Sequence, residues 1–432
     1  MNSATTSPFL PGQPHFHYKN GSLHVEQVAL QDLAAKFGTP LFAYSKAAML
    51  SALAAYQRGF AGRDVQICYA MKANPALGVI QVFAKAGCGF DIVSGGELER
   101  VLAAGAKPPH IIFSGVGKTR TEMRRALEVG IGCFNVESEA ELDVLNEVAL
   151  SCGKRAPVSI RVNPNVDPKT HPYISTGLQG SKFGIAHQRV VPTYQRAASL
   201  AGLQVVGIDC HIGSQITLEG PYLDAVDRML DLVEAIEAAG IPIRHIDFGG
   251  GLGISYQGND EPPQADVLWA KLLARLDARG FGQRKLMIEP GRSLVGNAGV
   301  CVTEVLYLKP GEQKNFLIID AAMNDLPRPA MYQAYHEMVP VTPRRDVPGD
   351  PLIWEVVGPV CESGDWIGHD RALAVQSGDL LAVMSAGAYC MSMASNYNSR
   401  GRAAELLVDG DQAHIIRQRE SIADQIRLEK LL

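Results

Sequence analysis

Eight short apolar runs, separated by amphipathic stretches and each ending in polar or glycine-rich residues, predict a (β/α)8 TIM-type barrel for the middle of this chain. The runs lie at 65–71, 90–94, 111–114, 133–136, 158–163, 205–210, 243–248 and 285–289. A change of texture after residue 300, to short runs rich in valine, tyrosine and glycine, predicts a second, β-rich domain. Periodicity alone fits a doubly wound open sheet as well. In either arrangement, chemistry collects at the carboxyl ends of the strands.

The elements follow in order. Residues 1–45 hold a strand-like stretch from Phe16 to Val25, a short helix at 30–37 and the run Pro40-Leu41-Phe42-Ala43-Tyr44. A lone strand pair cannot bury its own face, so this segment is expected to pack with the later β domain. Residues 46–300 carry the barrel, with helices such as Gly96–Ala104 and Leu223–Val233 between the apolar runs. Residues 301–432 carry the β domain, read from Cys301–Tyr307, Phe316–Asp320, Trp354–Val357 and Asp379–Met384, with a loop from Pro340 to Pro351.

Length and composition narrow the function. A chain of 432 residues is too long for one ordinary domain. The 45 acidic and 40 basic residues show no basic block, so nucleic acid is not an expected partner. No apolar run reaches the length of a membrane span. The first twenty residues, with Pro8, Pro11, His15 and His17, lack a basic segment followed by an apolar core, so no secretory signal is expected. Eight cysteines are scattered without a C-x-x-C pair, which disfavours zinc and disulfides and points to the cytoplasm.

The strand ends carry the chemistry. Lys72 closes the first run, before Pro75. Most lysines at strand ends are solvated. A buried one loses charge and becomes the neutral amine that forms Schiff bases. Asp91 and Ser94-Gly95-Gly96 end the second run, Ser114-Gly115-Val116-Gly117-Lys118 the third and Asn135-Val136-Glu137-Ser138 the fourth. Arg161 and Asn163 close the fifth, and His211-Ile212-Gly213-Ser214 the sixth. Asp247-Phe248-Gly249-Gly250-Gly251-Leu252-Gly253 closes the seventh, where consecutive glycines form either a tight turn or a nest of backbone N–H groups for a phosphate. The spacing matches neither a dinucleotide fingerprint nor a nucleoside-triphosphate loop.

Glu289 ends the eighth run, placed either to pair with Arg292 or to meet a positively charged ring nitrogen. His211 is either a core histidine or a flat face for a planar group. A lysine, a phosphate nest with the Ser214 hydroxyl, a ring-nitrogen carboxylate and a stacking imidazole together specify pyridoxal 5′-phosphate.

The motifs Tyr69-Ala70-Met71-Lys72-Ala73-Asn74, Asp91-Ile92-Val93-Ser94-Gly95-Gly96-Glu97, His211-Ile212-Gly213-Ser214-Gln215, the triple glycine and Glu289-Pro290-Gly291-Arg292 carry a resemblance. Met323-Asn324-Asp325-Leu326, Arg328-Pro329-Ala330-Met331-Tyr332, Cys361-Glu362-Ser363-Gly364-Asp365 and Ala386-Gly387-Ala388-Tyr389 extend it. From about residue 40 to 410 the chain resembles the diaminopimelate decarboxylase family, in the alanine-racemase-like barrel group of pyridoxal-phosphate enzymes. The resemblance implies a barrel followed by a β-sandwich that takes in the N-terminal strand. It also implies a homodimer with active sites at the interface.

For the residues, it implies that Lys72 holds the cofactor as a Schiff base. The wider cofactor set is Asp91, His211 on the ring face, Ser214 with Gly249, Gly250 and Gly251 on the phosphate, Glu289 on the ring nitrogen, Gly291, Arg292 and Tyr389. Arg292, Arg328 and Tyr332 grip the carboxylate that is retained, as bidentate guanidinium contacts suit. Tyr389 touches the substrate, and Cys361 and Glu362 reach in from a partner subunit. Lys72 and Cys361 are the two candidate proton donors.

A distal carboxylate favours meso-2,6-diaminopimelate over ornithine, arginine or lysine, with Glu362 at its distal amine and L-lysine and carbon dioxide as products. That reaction is the last step of lysine biosynthesis. Two residues depart from the family pattern: Ala322, where glycine is expected, and Pro327, which is expected to re-aim Arg328. An amino-acid racemase on the same barrel, and a non-catalytic homologue, are the rival classes.

Overall fold

The computed structural model describes residues 9–171, 174, 176–177, 180–344 and 351–432. The strand Val65–Ala70 pairs in parallel with Gly89–Ile92, and the ladder continues through Ile111–Phe113, Cys133–Val136 and Ala156–Asn163. It runs on through Leu203–Asp209, His245–Asp247 and Lys285–Ile288, which returns to Val65–Ala70. Eight parallel strands therefore close on themselves, and the open-sheet alternative is excluded. A short strand, Ile185–Ala186, adds to the outside of Ala156–Asn163.

Local sequence explains the helices between them. Ser94 and Ser138 cap Gly95–Ala103 and Glu139–Ser151 by accepting the N–H of Glu97 and Glu141. Thr119 and Glu122 form a reciprocal capping box at the start of Arg120–Val129, and Gly130 ends that helix at φ 77°. The later helix Gly220–Ala238 buries one apolar face that includes Val226, Met229, Leu230 and Val233. Each cap fixes where a βα loop gives way to a helix. The caps thereby set how much chain lies at the barrel's carboxyl end.

The chain divides into two compact units. One holds Ala52–Ile254 and Glu261–Leu294, the barrel. The other holds the described residues up to Ser51, together with Ser255–Asp260 and Val295–Leu432. Ser255–Asp260 lies inside the span expected for the barrel. It joins the β unit because Tyr256 packs there, against Arg328 and His336.

In the β unit the eleven-residue strand Gly299–Lys309 is the hub. Its first half pairs with Leu41–Ser45 and Leu380–Val383, and its second half pairs with Phe316–Ile319. Leu41–Ser45 in turn runs parallel to Ala404–Asp409, so the N-terminal segment contributes an interior strand of this sheet. The hairpin Phe16–Lys19 and Ser22–Val25 forms a separate three-stranded sheet with Val28–Ala29. Phe16, Leu23, Leu30 and Leu33 bury against Leu41, Val300, Val302, Met384 and Leu406 in one core.

The sequence did not single out the strands Trp366–Leu373, Ala404–Asp409 and Gln412–Arg417. Met338–Pro340 is a strand just where the loop was expected to begin, and the rest of that loop lies partly outside the described residues. Among the described residues, no helix is long and apolar enough to cross a membrane.

Leu41 is fully buried in the core shared by the N-terminal segment and the β unit. Leu41→Ala should destabilise that unit by about 2–5 kcal/mol, the usual cost of a core leucine truncation. Urea unfolding in a Trp269→Phe background, which leaves Trp354 and Trp366 as β-unit reporters, measures it.

Candidate active site

Lys72 lies in a single 3-10 turn, Met71–Ala73, that begins as the first barrel strand ends. Its Nζ donates to Asp91 Oδ2 at 2.6 Å, and Asp91 sits at the carboxyl end of the next strand with its side chain fully buried. The sequence reading expected a neutral amine in an apolar pocket. The structure instead pairs an ammonium with a buried carboxylate, and about a third of the lysine side chain (36 %) stays open for reaction.

His211 follows the sixth strand. Its Nδ1 accepts the N–H of Gly250 at 3.1 Å, which requires that nitrogen to be bare. Burial, helped by the charges of Arg161 and Lys72, holds its pKa well below the usual imidazole range. The ring is therefore a neutral, flat surface. Ser214 Oγ accepts from Arg292 Nη2 at 3.0 Å, so its own hydroxyl proton remains available to an anion.

The glycines after the seventh strand have steric causes. A Cβ on Gly249 would fall 2.5 Å from the Cys210 carbonyl oxygen, on Gly250 2.1 Å from that of Glu289, and on Gly251 2.2 Å from that of Gly213. Gly249 and Gly251 also take φ of 65° and 99°. Two of the three N–H groups are used internally: Gly249 donates to Asp247 Oδ1 at 2.8 Å and Gly250 to His211. The triplet thus brings the sixth, seventh and eighth strand ends together. Among the described residues, Gly251 is left as its free backbone donor. Gly291 packs less tightly, with a Cβ there falling 3.1 Å from the Ala70 carbonyl oxygen.

Glu289 has an environment the sequence did not reveal. Register sets Arg161, Asp209 and Asp247 side by side on three adjacent strands. Carboxylate oxygens of Asp209, Asp247 and Glu289 all lie within 4.8 Å of one another, and all three residues are buried. Arg161 is engaged with Glu137 at 2.9 Å and reaches Asp209 only at 4.0 Å. Lys72 is engaged with Asp91. Among the described residues, Asp247 and Glu289 have no ion-pair partner, and Asp247 Oδ2 is buried without a hydrogen bond.

Burial and the surrounding carboxylates push Glu289 well above the ordinary range, and burial carries Asp247 up to about 7. Asn135 Nδ2 orients Glu289 Oε1 at 3.2 Å.

This charge deficit tests the fit to pyridoxal 5′-phosphate. A protonated ring nitrogen brings the positive charge that Glu289 lacks. Lys72 offers the attaching amine, His211 a neutral face, and the close-packed glycines with Ser214 and Arg292 an anion-binding corner. The residues fit the group.

Comparison with known proteins agrees. Residues 46–296 match the family model described as the pyridoxal-binding domain of pyridoxal-dependent decarboxylases. The chain is similar to a diaminopimelate decarboxylase of Pseudomonas aeruginosa, 54% identical over 96% of this chain and 99% of that one. It is similar to the crystal structures of diaminopimelate decarboxylases from M. jannaschii and Helicobacter pylori, each solved with L-lysine. The first shares 36% identity at a TM-score of 0.93, covering 98% of this chain and 99% of that one. The second shares 40% at 0.88, covering 93% and 99%. The chain belongs to the diaminopimelate decarboxylase family.

The other residues singled out from the sequence lie in the β unit. Arg328 opens the short helix Arg328–Tyr332 and is buried, while Tyr332 is half-buried. Pro327 caps that helix at φ −77° and accepts the Met331 N–H at 2.9 Å, so the proline sits in a backbone conformation it favours. Ala322, outside the left-handed region and fully buried, needs no glycine. Cys361 and Glu362 lie exposed on one turn. Asp365 ties that turn to the Met323-Asn324-Asp325 motif by accepting from Val360 N at 2.8 Å and Met323 N at 2.6 Å. Tyr389 takes φ 58°.

Sequence reasoning missed roles for Asp209, Asp247, Glu137 and His336. The first three stand at or beside strand ends; Glu137 and Asp247 were noted there as polar without a partner, and Asp209 was not singled out.

The raised pKa of Asp247 has a consequence for the cofactor-free protein. An unfolded chain releases this proton near 3.8, whereas the folded chain keeps it to about 7. Folded protein therefore binds more protons between those values, and stability falls as pH rises through the window. Asp247→Asn should flatten that decline. Thermal unfolding of cofactor-free wild type and variant from pH 5 to pH 8 reads the difference.

Proposed function

We propose that this chain decarboxylates meso-2,6-diaminopimelate to L-lysine and carbon dioxide, with pyridoxal 5′-phosphate as its cofactor. The observation that carries the reading is the convergence of Lys72, neutral His211 and the cation-starved Glu289 on the carboxyl end of one closed barrel. When bound, the cofactor supplies the electron sink for the pair left behind by carbon dioxide.

The chain's own residues do the rest. Lys72 Nζ would hold the cofactor, with Asp91 Oδ2, 2.6 Å away, orienting that amine. Glu289 would face the ring nitrogen, where burial and its carboxylate neighbours favour a shared proton. His211 covers the ring face without adding a charge. Ser214, Gly251 and Arg292 hold the phosphate, with Gly249, Gly250 and Gly291 allowing the backbone to approach.

Arg292, Arg328 and Tyr332 grip the retained carboxylate, Glu362 meets the distal amine, and Tyr389 contacts substrate and cofactor. Cys361 or Lys72 delivers the proton that replaces the lost carboxylate. The exposure of Cys361 and Glu362 on one fixed turn supports a homodimer in which each protomer lends this turn to its partner. Eight cysteines without a disulfide support residence in the cytoplasm.

A substrate panel tests the reading. Carbon dioxide should be released from meso-diaminopimelate in preference to its LL isomer, lysine, ornithine or arginine, and preference for a basic amino acid would overturn the substrate assignment. Lys72→Ala should lose both the cofactor's Schiff-base absorbance and turnover. Arg328→Ala should raise KM about 10–100-fold, the loss of one charge-assisted contact to a carboxylate. Mixing inactive Lys72→Ala and Glu362→Ala protomers should restore activity if sites are shared, and leave it absent if each protomer works alone.

A further inference from the structure

We infer that His336 is a positioning residue for Arg328: a neutral imidazole, locked in one tautomer, aims the guanidinium and leaves its charge for the substrate's retained carboxylate. This rests on the reading of Arg328 as the carboxylate grip.

His336 is fully buried, a few residues beyond the helix that carries Arg328. Its Nδ1 lies 2.9 Å from the Met384 carbonyl oxygen and its Nε2 lies 2.9 Å from Arg328 Nη1. A carbonyl has no proton to give, so Nδ1 must carry one. A guanidinium has no lone pair to give, so Nε2 must be bare. One state satisfies both contacts: the neutral ring protonated at Nδ1. A second proton would set two donors face to face.

The frame around this contact is stiff. Met384 N–H donates to the Glu337 carbonyl at 2.8 Å. Arg371 Nη2 donates to the His336 carbonyl at 3.0 Å, with its guanidinium 3.8 Å from the Tyr335 ring centre. Tyr256 stands edge-on to the imidazole, at 5.2 Å and 78°, and lies 4.7 Å beneath the Arg328 guanidinium. Arg328 is thus held on one face by an aromatic ring and at one nitrogen by an imidazole.

The choice of a neutral partner is the point. Arg328 is only 6% exposed, yet among the described residues no carboxylate lies within ion-pair distance of it. A buried guanidinium is ordinarily paired, because an uncompensated charge away from water is costly. An aspartate at position 336 would satisfy it and cancel its charge. A histidine acceptor fixes direction and cancels nothing. The Nε–Nη2 edge of the fork then remains for a bidentate carboxylate.

The test uses the holoenzyme with His336→Asn, His336→Gln, Arg328→Ala and His336→Asn/Arg328→Ala. Asparagine keeps a donor near the Nδ1 position and loses the acceptor for Arg328, whereas glutamine places an acceptor near Nε2. His336→Asn should raise KM for meso-diaminopimelate and Ki for L-lysine about tenfold, the cost of one lost hydrogen bond to a charged group. It should leave kcat, the cofactor absorbance and inhibition by cadaverine, which lacks the carboxylate, close to wild type. His336→Gln should restore most of the loss, and His336→Asn should add nothing once Arg328 is alanine.

An unchanged KM in His336→Asn alongside a raised KM in Arg328→Ala overturns this inference alone. An unchanged KM in Arg328→Ala overturns the carboxylate grip and the inference with it. Selective 15N-histidine NMR of the wild-type holoenzyme tests it without a substitution in the measured protein, the His336 signals being assigned by their absence in His336→Gln. A bare Nε2 and a protonated Nδ1 support the inference, and a proton on Nε2 overturns it.

Discussion

Negative charge is crowded at the carboxyl end of this barrel, and the organisation of the site follows from that. Parallel strands in tight register bring Asp91, Asp209, Asp247 and Glu289 into one buried region, with Lys72 beside Asp91 and Arg161 near Asp209. Arg161 is largely committed to Glu137 and Lys72 to Asp91. Carboxylates desolvated in this way do not all stay ionised, because burial and like charges both favour the protonated form. This end of the barrel therefore favours retention of a proton among these carboxylates.

The β unit solves the opposite problem. There a buried guanidinium, Arg328, has no carboxylate partner among the described residues and leans on neutral groups, the His336 imidazole and the Tyr256 ring. One region stores unmet negative charge and the other unmet positive charge. Backbone holds one atom in each region: Gly249 N–H donates to Asp247 Oδ1, and His336 Nδ1 meets the Met384 carbonyl.

The legibility of the fold in the sequence was uneven for a physical reason. All eight barrel strands were read within two residues of their observed ends. Their fully buried faces make continuous apolar runs, and their ends turn abruptly polar. In the β unit, Gly299–Lys309 and Phe316–Ile319 were equally clear, whereas Ala404–Asp409 and Gln412–Arg417 were not singled out. Ala404–Asp409 gains its place by pairing with Leu41–Ser45, more than three hundred and fifty residues earlier in the chain, which no local pattern records. Pro327 shows the converse. Noted in the sequence as a constraint on the backbone before Arg328, it stands at the start of the helix Arg328–Tyr332, with φ −77°.

The sequence by itself determined the barrel, the β-rich second domain, the lysine at the first strand end, the glycine triplet and the carboxylate at the eighth. These depend on periodicity, on turn chemistry and on which residue types end a strand, all local properties. Only the tertiary structure decided what each group is charged against. Asp91 became the partner of Lys72, Gly250 N–H the partner of His211, and burial with Asp91, Asp247 and Asp209 nearby raises the pKa of Glu289. Electrostatic environment depends on distance and burial, which closing the barrel sets and the order of residues does not display.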